Sequence, residues 1–382
     1  MRLRVIVKVG TIISVLLFCM TLAYYAFMRL DMTERNRSVN LYSMVPADCV
    51  AVLESDDIDR LMDDALAPNY SDELERFRFP GLFDFILRGL KEYTSDNVHG
   101  LGHQMGHLLV SFHRPSISDN QVIYFRMDTA DDKILSDMLQ EYMPVNFLPK
   151  EETYRGKKVV IYPLGKDEFL TTYAENGFFV LSYQKRLIEQ VIDAGLDKNS
   201  LQHDAVFSQI VERKKSRKYL TLYARNAAMP FLEQDVTCWN EYEFHVNTDV
   251  LYLTGETFAS DDCSCVEMAK EHIAAVPLIK EEQWIVSSDR DSTMLYINEA
   301  SEANENGNRT LFNECVSNLS YEASFTFVAD MDWVADNPQH FVNYLPPFML
   351  SHASLLRSFV LSVQLMANEE RPSHIWVFTY KN

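Results

Sequence analysis

The sequence predicts an α+β protein: an N-terminal single transmembrane helix, then repeated β-α-β-β units forming a largely antiparallel sheet with helices on one face. Three observations carry this. Val9 to Met28 is a run of twenty residues without a charge, about what a helix needs to cross a bilayer core of roughly 30 Å. Beyond it, short apolar runs bounded by turn residues alternate with segments of helical spacing. Three strand-to-helix passages also resemble one another. Cys49-Val50-Ala51-Val52-Leu53 runs into Asp56, Tyr219-Leu220-Thr221-Leu222-Tyr223 into Asn226, and Ser324-Phe325-Thr326-Phe327-Val328 into Asp330 and Asp332.

The N-terminus is basic, with Arg2, Arg4 and Lys8 before the apolar run and Arg29 after it. Retained positive charge keeps the tip inside and sends the remainder out. The apolar run exceeds the roughly 7–15 residues of a cleaved signal, and Ala23 and Ala26 lack the cleavage spacing. Phe18 before Cys19 argues against a lipoprotein. An uncleaved inner-membrane anchor is therefore expected, with residues 31–382 periplasmic. Residues 1–30 form tip and anchor, 31–45 a tether, 46–215 a first α+β region and 216–382 a second, the two able to form one continuous domain.

After the tether, Cys49 to Leu53 reads as a strand. Ser55 or Asp56 caps a helix carrying Ile58, Leu61, Met62, Ala65 and Leu66, with acids in its first turn. Leu74 to Tyr93 reads as one or two helices broken at Pro80-Gly81. Gly100, Gly102 and Gly106 make His99 to His107 a loop. Leu108 to Phe112 and Val122 to Met127 are strands, Asp131 to Tyr142 a helix, and Val159 to Tyr162 a strand. Phe169 to Tyr173 and Phe178 to Leu181 pair through Glu175-Asn176-Gly177. Ser182 caps a helix ending near Gly195, and a second runs from Asp204 to Arg213. Strands follow at Tyr219 to Tyr223, Tyr242 to Val246 and Val250 to Phe258, with a short helix near Ala227 to Leu232 and another at Val266 to Ala275. Leu295 to Ile297 and Phe325 to Val328 are strands and Asp332 to Tyr344 a helix. Leu355 to Leu365 and Ile375 to Tyr380 close the chain.

The first thirty residues hold four of the 35 basic residues and none of the 55 acids, so the remainder carries 31 against 55, a net −24. Such a surface disfavours nucleic acid and anionic headgroups. Hydrophobic residues make up 47% of the chain, enough for a substantial core. Cys49, Cys238, Cys263, Cys265 and Cys315 are odd in number and widely spaced, which is no disulfide framework. A bridge from Cys263 or Cys265 to Cys238 or Cys315 is expected.

The order of these features carries a resemblance. A basic tip and one apolar helix precede Val45-Pro46-Ala47-Asp48. Tyr154-Arg155-Gly156-Lys157-Lys158-Val159, Asn176-Gly177-Phe178-Phe179-Val180-Leu181-Ser182 and Asp249-Val250-Leu251-Tyr252-Leu253-Thr254-Gly255 follow. The chain resembles the membrane-anchored extracytoplasmic proteins of unknown function found in Bacteroidetes. The resemblance implies a periplasmic location and no catalytic residues. It also implies that longer members continue past Asn382, with a module this chain lacks.

Four of the ten histidines, His99, His103, His107 and His113, fall within fifteen residues. His103-Gln104-Met105-Gly106-His107 has the outline of a zinc-protease motif, but Gln104 stands where the general-base Glu belongs, and glycines oppose the helix it needs. In extended chain His107 and His113 share a face with Leu109 and Ser111 between them, about six residues at roughly 3.3 Å apart and too far for one ion. Cys263-Ser264-Cys265 offers two thiols among Asp261, Asp262 and Glu267. The metal-ligand candidates are thus His103, His107, Cys263 and Cys265. Arg213-Lys214-Lys215 with Arg217-Lys218 suits a helix C-terminus. Asp56, Asp57, Asp59, Asp63 and Asp64 read as a solvated helix face. No catalytic constellation, phosphate loop or dinucleotide fingerprint is present, and no cofactor is implied. The expected function is a non-enzymatic periplasmic binding or scaffold domain with an inner-membrane anchor at residues 9–28 and a protein partner in the envelope. The alternative is a metal-assisted hydrolase using the His99–His113 cluster.

Overall fold

The computed structural model describes residues 20–21, 39–57, 60–61, 69, 107–114, 120–126, 136–137, 139–140, 148–165, 168–175, 177–213, 219–225, 238–260, 262–281, 283–287, 310–320, 322–367 and 370–381. In chain order the strands are β1 (Ala51–Ser55), β2 (Leu108–Phe112), β3 (Gln121–Arg126), β4 (Lys150–Tyr154), β5 (Lys157–Gly165), β6 (Glu168–Glu175) and β7 (Phe178–Ser182). Then come β8 (Leu220–Arg225), β9 (Cys238–Val246), β10 (Val250–Ala259), β11 (Ile279–Glu281), β12 (Trp284–Ser287), β13 (Phe325–Asp330), β14 (Phe359–Met366) and β15 (Ser373–Tyr380). All join one sheet in the order β11-β12-β13-β14-β15-β10-β9-β8-β1-β2-β3-β7-β6-β5-β4. Every pairing is antiparallel.

This corrects the expected fold class. The architecture is one continuous fifteen-stranded antiparallel sheet, and its helices lie on both faces rather than one. An N-terminal transmembrane helix is not shown: no helix among the described residues is long and apolar enough to cross a membrane. Within the apolar run only Met20 and Thr21 are described.

Directly paired residues point to the same side of a sheet, so the register defines two faces. On the first face α1 (Lys185–Asp197), α2 (Ala205–Arg213) and the turn Leu41–Ser43 cover Val52, Leu109, Tyr124, Val180, Tyr223 and Trp239. Farther along that face α4 (Thr310–Ser317) covers Ile285, Val328 and Val360. The second face packs Leu108, Val110, Phe125, Phe179 and Leu181 with Leu139. Beyond them α3 (Asp262–Ala275), α5 (Met331–Asp336) and α6 (Pro347–His352) lie near Val286, Phe325, Phe327 and Leu361. Strands buried on both sides lose their alternation, which is why β7 is Phe-Phe-Val-Leu-Ser and wholly buried.

The local signals act where expected, with shifts. In the β4–β5 hairpin Arg155 (φ 48°) and Gly156 (φ 81°) both take positive φ, the requirement of a tight two-residue turn. Arg155 then reaches α1, 2.6 Å from Asp193 and 2.7 Å from Asp197. Gly195 does not end α1. The helix continues to Asp197 and its cap is Lys198 at φ 56°. Gly195 is small because a Cβ there would meet Met44 Sδ at 2.9 Å. The expected helix over Asp332 to Tyr344 is α5 followed by a separate 3-10 turn at Pro338–Phe341, where proline restarts the chain. The helices expected at Leu74 to Tyr93 and Ala227 to Leu232 and the strand at Leu295 to Ile297 lie outside the described residues. None of Cys49, Cys238, Cys265 and Cys315 takes part in a disulfide, so the expected bridge to Cys238 or Cys315 is absent. Cys238 and Cys265 pack in the second-face core, while Cys315 belongs to α4 and packs on the first face.

Gly255 and His374 form a close approach within the sheet. They are paired across β10 and β15, and His374 lies fully buried 4.7 Å from the Tyr242 ring. Gly255→Ala would place a Cβ 2.5 Å from the Glu241 carbonyl and 2.7 Å from His374 Nε2. It is expected to lower stability by about 1–3 kcal/mol in urea titration. Burial lowers the pKa of His374 to about 3 and that of His113 to about 4, against an ordinary 6.5. The unfolded chain therefore binds more protons than the native one between those values, and stability falls as pH drops below 6.5. Each histidine contributes a slope of up to about 1.4 kcal/mol per pH unit. His374→Leu is expected to flatten the pH dependence of the urea midpoint.

Candidate functional site

The sheet register builds a polar cluster where β1 leaves the sheet. Glu54 pairs with Leu109 and Ser55 with Leu108. One step further, the same register sets Asp56 opposite His107. The three residues each offer a ligand atom, and these atoms lie within 4.8 Å of one another. The His107 ring is held through Nδ1 by Asp56 Oδ1. Its other nitrogen, Nε2, faces Glu54 Oε1 at 3.7 Å. The Tyr223 hydroxyl donates to Glu54 Oε2 at 3.4 Å. Glu54 is 5% and His107 8% exposed, so this is a built interior site and not a chance meeting of surface charges.

Aromatic packing fixes its walls. The Phe207 ring meets Tyr42 at 5.0 Å, Tyr223 at 5.2 Å and Trp239 at 5.1 Å, each edge-on. Burial, and then the neighbouring Glu54 carboxylate, pushes the Tyr42 and Tyr223 hydroxyls well above the ordinary tyrosine range. They remain neutral donors at any physiological pH. Asp56 was expected to cap a helix or lie on its solvated face. Instead Asp57 Oδ1 accepts the Arg60 N–H at 2.9 Å in the capping role, which leaves Asp56 directed at His107.

His113, at the far end of β2, belongs to a second network. Its Nε2 lies 2.8 Å from Ser111 Oγ, which lies 3.0 Å from the Tyr124 hydroxyl. Burial lowers the His113 pKa to about 4, so it is neutral near pH 7. His99 and His103 lie outside the described residues, as do the side chain of Cys263 and the basic run after Arg213. Cys265 is a buried thiol in α3, on the opposite face from His107. Of the candidate ligands, then, the structure places His107 in a cluster, and its companions Glu54 and Asp56 were not expected. The signal for Glu54 is a carboxylate directly after the apolar run Cys49 to Leu53, still within strand reach of it.

The cluster opens onto an acidic strip. Glu54, Thr221, Glu243, Thr254 and Ile375 follow one another across β1, β8, β9, β10 and β15 by direct pairing. Beside them run Tyr223, Glu241 and Glu256, then His245, Tyr252 and Val377. Glu241, Glu243, Tyr252, Thr254, Ile375 and Val377 are half-buried, and Glu256 and His245 are exposed.

No family model matches the chain, and no curated protein matches it. Among solved structures it is similar to the one described as crystal form III of TP0453, at TM-score 0.28 and 8% identity, covering 58% of this chain and 80% of that one. That overlap is too slight to carry an argument, and none of these comparisons bears on the Bacteroidetes resemblance.

Ser111→Ala strips both His113 and Tyr124 of a buried partner. A loss of about 1–3 kcal/mol in urea titration is expected, with the His113 ring signal broadened in NMR.

Proposed function

We propose that the protein is a non-enzymatic binding protein, with the sheet as its rigid platform and a cationic polypeptide segment as its ligand. The observation that carries this is the strip of directly paired residues from Glu54 through Glu243 to Ile375, with Glu241 and Glu256 alongside. Strand positions hold these carboxylates in fixed register, and neighbouring like charges attract a basic partner. Tyr252, Ile375 and Val377 supply apolar surface for the stems of lysine or arginine. The strip lies between the part of the first face covered by α1 and α2 and the part covered by α4. The chain's net charge of −20 favours the same partner and disfavours nucleic acid.

A fluorescently labelled peptide of alternating lysine and leucine tests this by anisotropy with the full-length chain. Binding is expected, weakened at least about tenfold by the double reversal Glu241→Lys, Glu243→Lys and by less than about twofold by Glu271→Lys on α3. Equal weakening by the two changes, or no binding to the unaltered protein, overturns the reading.

A further inference from the structure

We propose that Glu54 and His107, with Asp56 orienting the imidazole, bind one divalent metal ion of the zinc class. The ion is held between Glu54 Oε1 and His107 Nε2, with Asp56 behind the imidazole. The 3.7 Å between those two atoms is too long for a hydrogen bond. It is the right span for two ligands of one ion. Donors about 2.1 Å from zinc stand about 3.0 Å apart at a right angle and about 4.2 Å apart in a straight line.

The remaining contacts aim both donors at that point. Asp56 holds Nδ1, which places the ring proton there and leaves the Nε2 lone pair facing Glu54. A carboxylate behind a ligating histidine is the usual way a protein orients and strengthens that ligand. Tyr223 occupies the other oxygen of Glu54 at 3.4 Å, so Oε1 is turned toward the imidazole. Two carboxylates and an imidazole so largely buried also carry a charge that a divalent ion neutralises. One nitrogen donor with few oxygens suits zinc and its neighbours over calcium or magnesium, which need six or more oxygens or several waters. Two protein ligands leave two positions of a tetrahedral ion open for water or for a group on a bound partner.

The site is independent of the acidic-strip reading, because its donors can hold an ion whether or not a polypeptide docks beside it. The test is calorimetric titration of Zn2+ into the full-length chain after chelator treatment, with folding of each variant checked by circular dichroism. One zinc per chain is expected. Glu54→Gln and His107→Gln should each weaken binding at least tenfold, and Asp56→Asn by about 10–100-fold. Ca2+ and Mg2+ at the same concentrations should give no heat. Where His107→Gln does not fold, Glu54→Gln decides alone, since it keeps the shape and the acceptor for Tyr223. No zinc binding by the unaltered chain, or unaltered affinity in Glu54→Gln, overturns the proposal and leaves the cluster as a buried ion pair.

Discussion

The structure depends on the pairing of β1 with β8. Five residue pairs, from Ala51↔Ala224 to Ser55↔Leu220, join strands about 170 residues apart. Without them the sheet falls into two, one running from β1 to β4 and the other from β8 to β11. So few pairs are weak alone, and the surrounding contacts reinforce the seam. The backbone N–H of Arg225 donates to the Val50 carbonyl at 2.8 Å. The Arg225 guanidinium donates to the Ala47 carbonyl and to Asp204, each at 2.8 Å, and lies 4.7 Å over the Trp239 ring. Loop closure over such a distance is entropically expensive, so one side chain that ties the first turn, α2 and β8 together removes much of the freedom the seam must otherwise overcome.

The polar cluster sits on this seam. Glu54 comes from β1, Tyr223 from β8, and His107 from the residue before β2, so its geometry exists only when all three strands are aligned. A one-residue slip of β1 would turn Glu54 to the opposite face. Phe207 guards against it by filling the space among Tyr42, Tyr223 and Trp239. Catalytic and binding groups are held more closely by strands than by loops. Here the strands also explain why a carboxylate tolerates 5% exposure: Tyr223 and His107 both stand within reach of it.

Much of the strand content was legible in the sequence. Leu108–Phe112 coincides with its expected limits, Gly177 turns the β6–β7 hairpin at φ 97°, and Asp204 caps α2 by accepting the N–H groups of Val206 and Phe207. What failed was information that no local window holds. β4 is Lys-Glu-Glu-Thr-Tyr, a polar edge strand without an apolar signature. Helices on both faces are invisible to a pattern that reads one side of each strand. The cluster was half legible. His107 stood out by composition, but its partners follow from the register of β1 on β2, which sets Asp56 beside a histidine 51 residues away. Asp56 was read as part of an acidic run because its neighbours Asp57, Asp59, Asp63 and Asp64 look alike in one dimension.

The two ends of the sheet explain why a partner would meet its face. An open edge strand offers unpaired backbone groups to any extended peptide, and proteins blunt it by charge or brevity. β4 does so by charge: Lys150 pairs with Glu152 at 2.7 Å, Lys158 with Glu151 at 2.6 Å, and Lys185 of α1 reaches Glu152 at 2.6 Å. Lys150 and Lys185 hold the Glu152 carboxyl down to about 2. Pairs this exposed contribute little to stability, so their consequence is to keep charge along the edge. β11 does so by brevity, with three residues. With both edges closed to strand addition, recognition by a sheet of this breadth falls to side chains on its faces. Among the described first-face side chains, those running from Glu54 to Val377 hold a run of carboxylates, Glu241, Glu243 and Glu256, in fixed register and at least partly exposed.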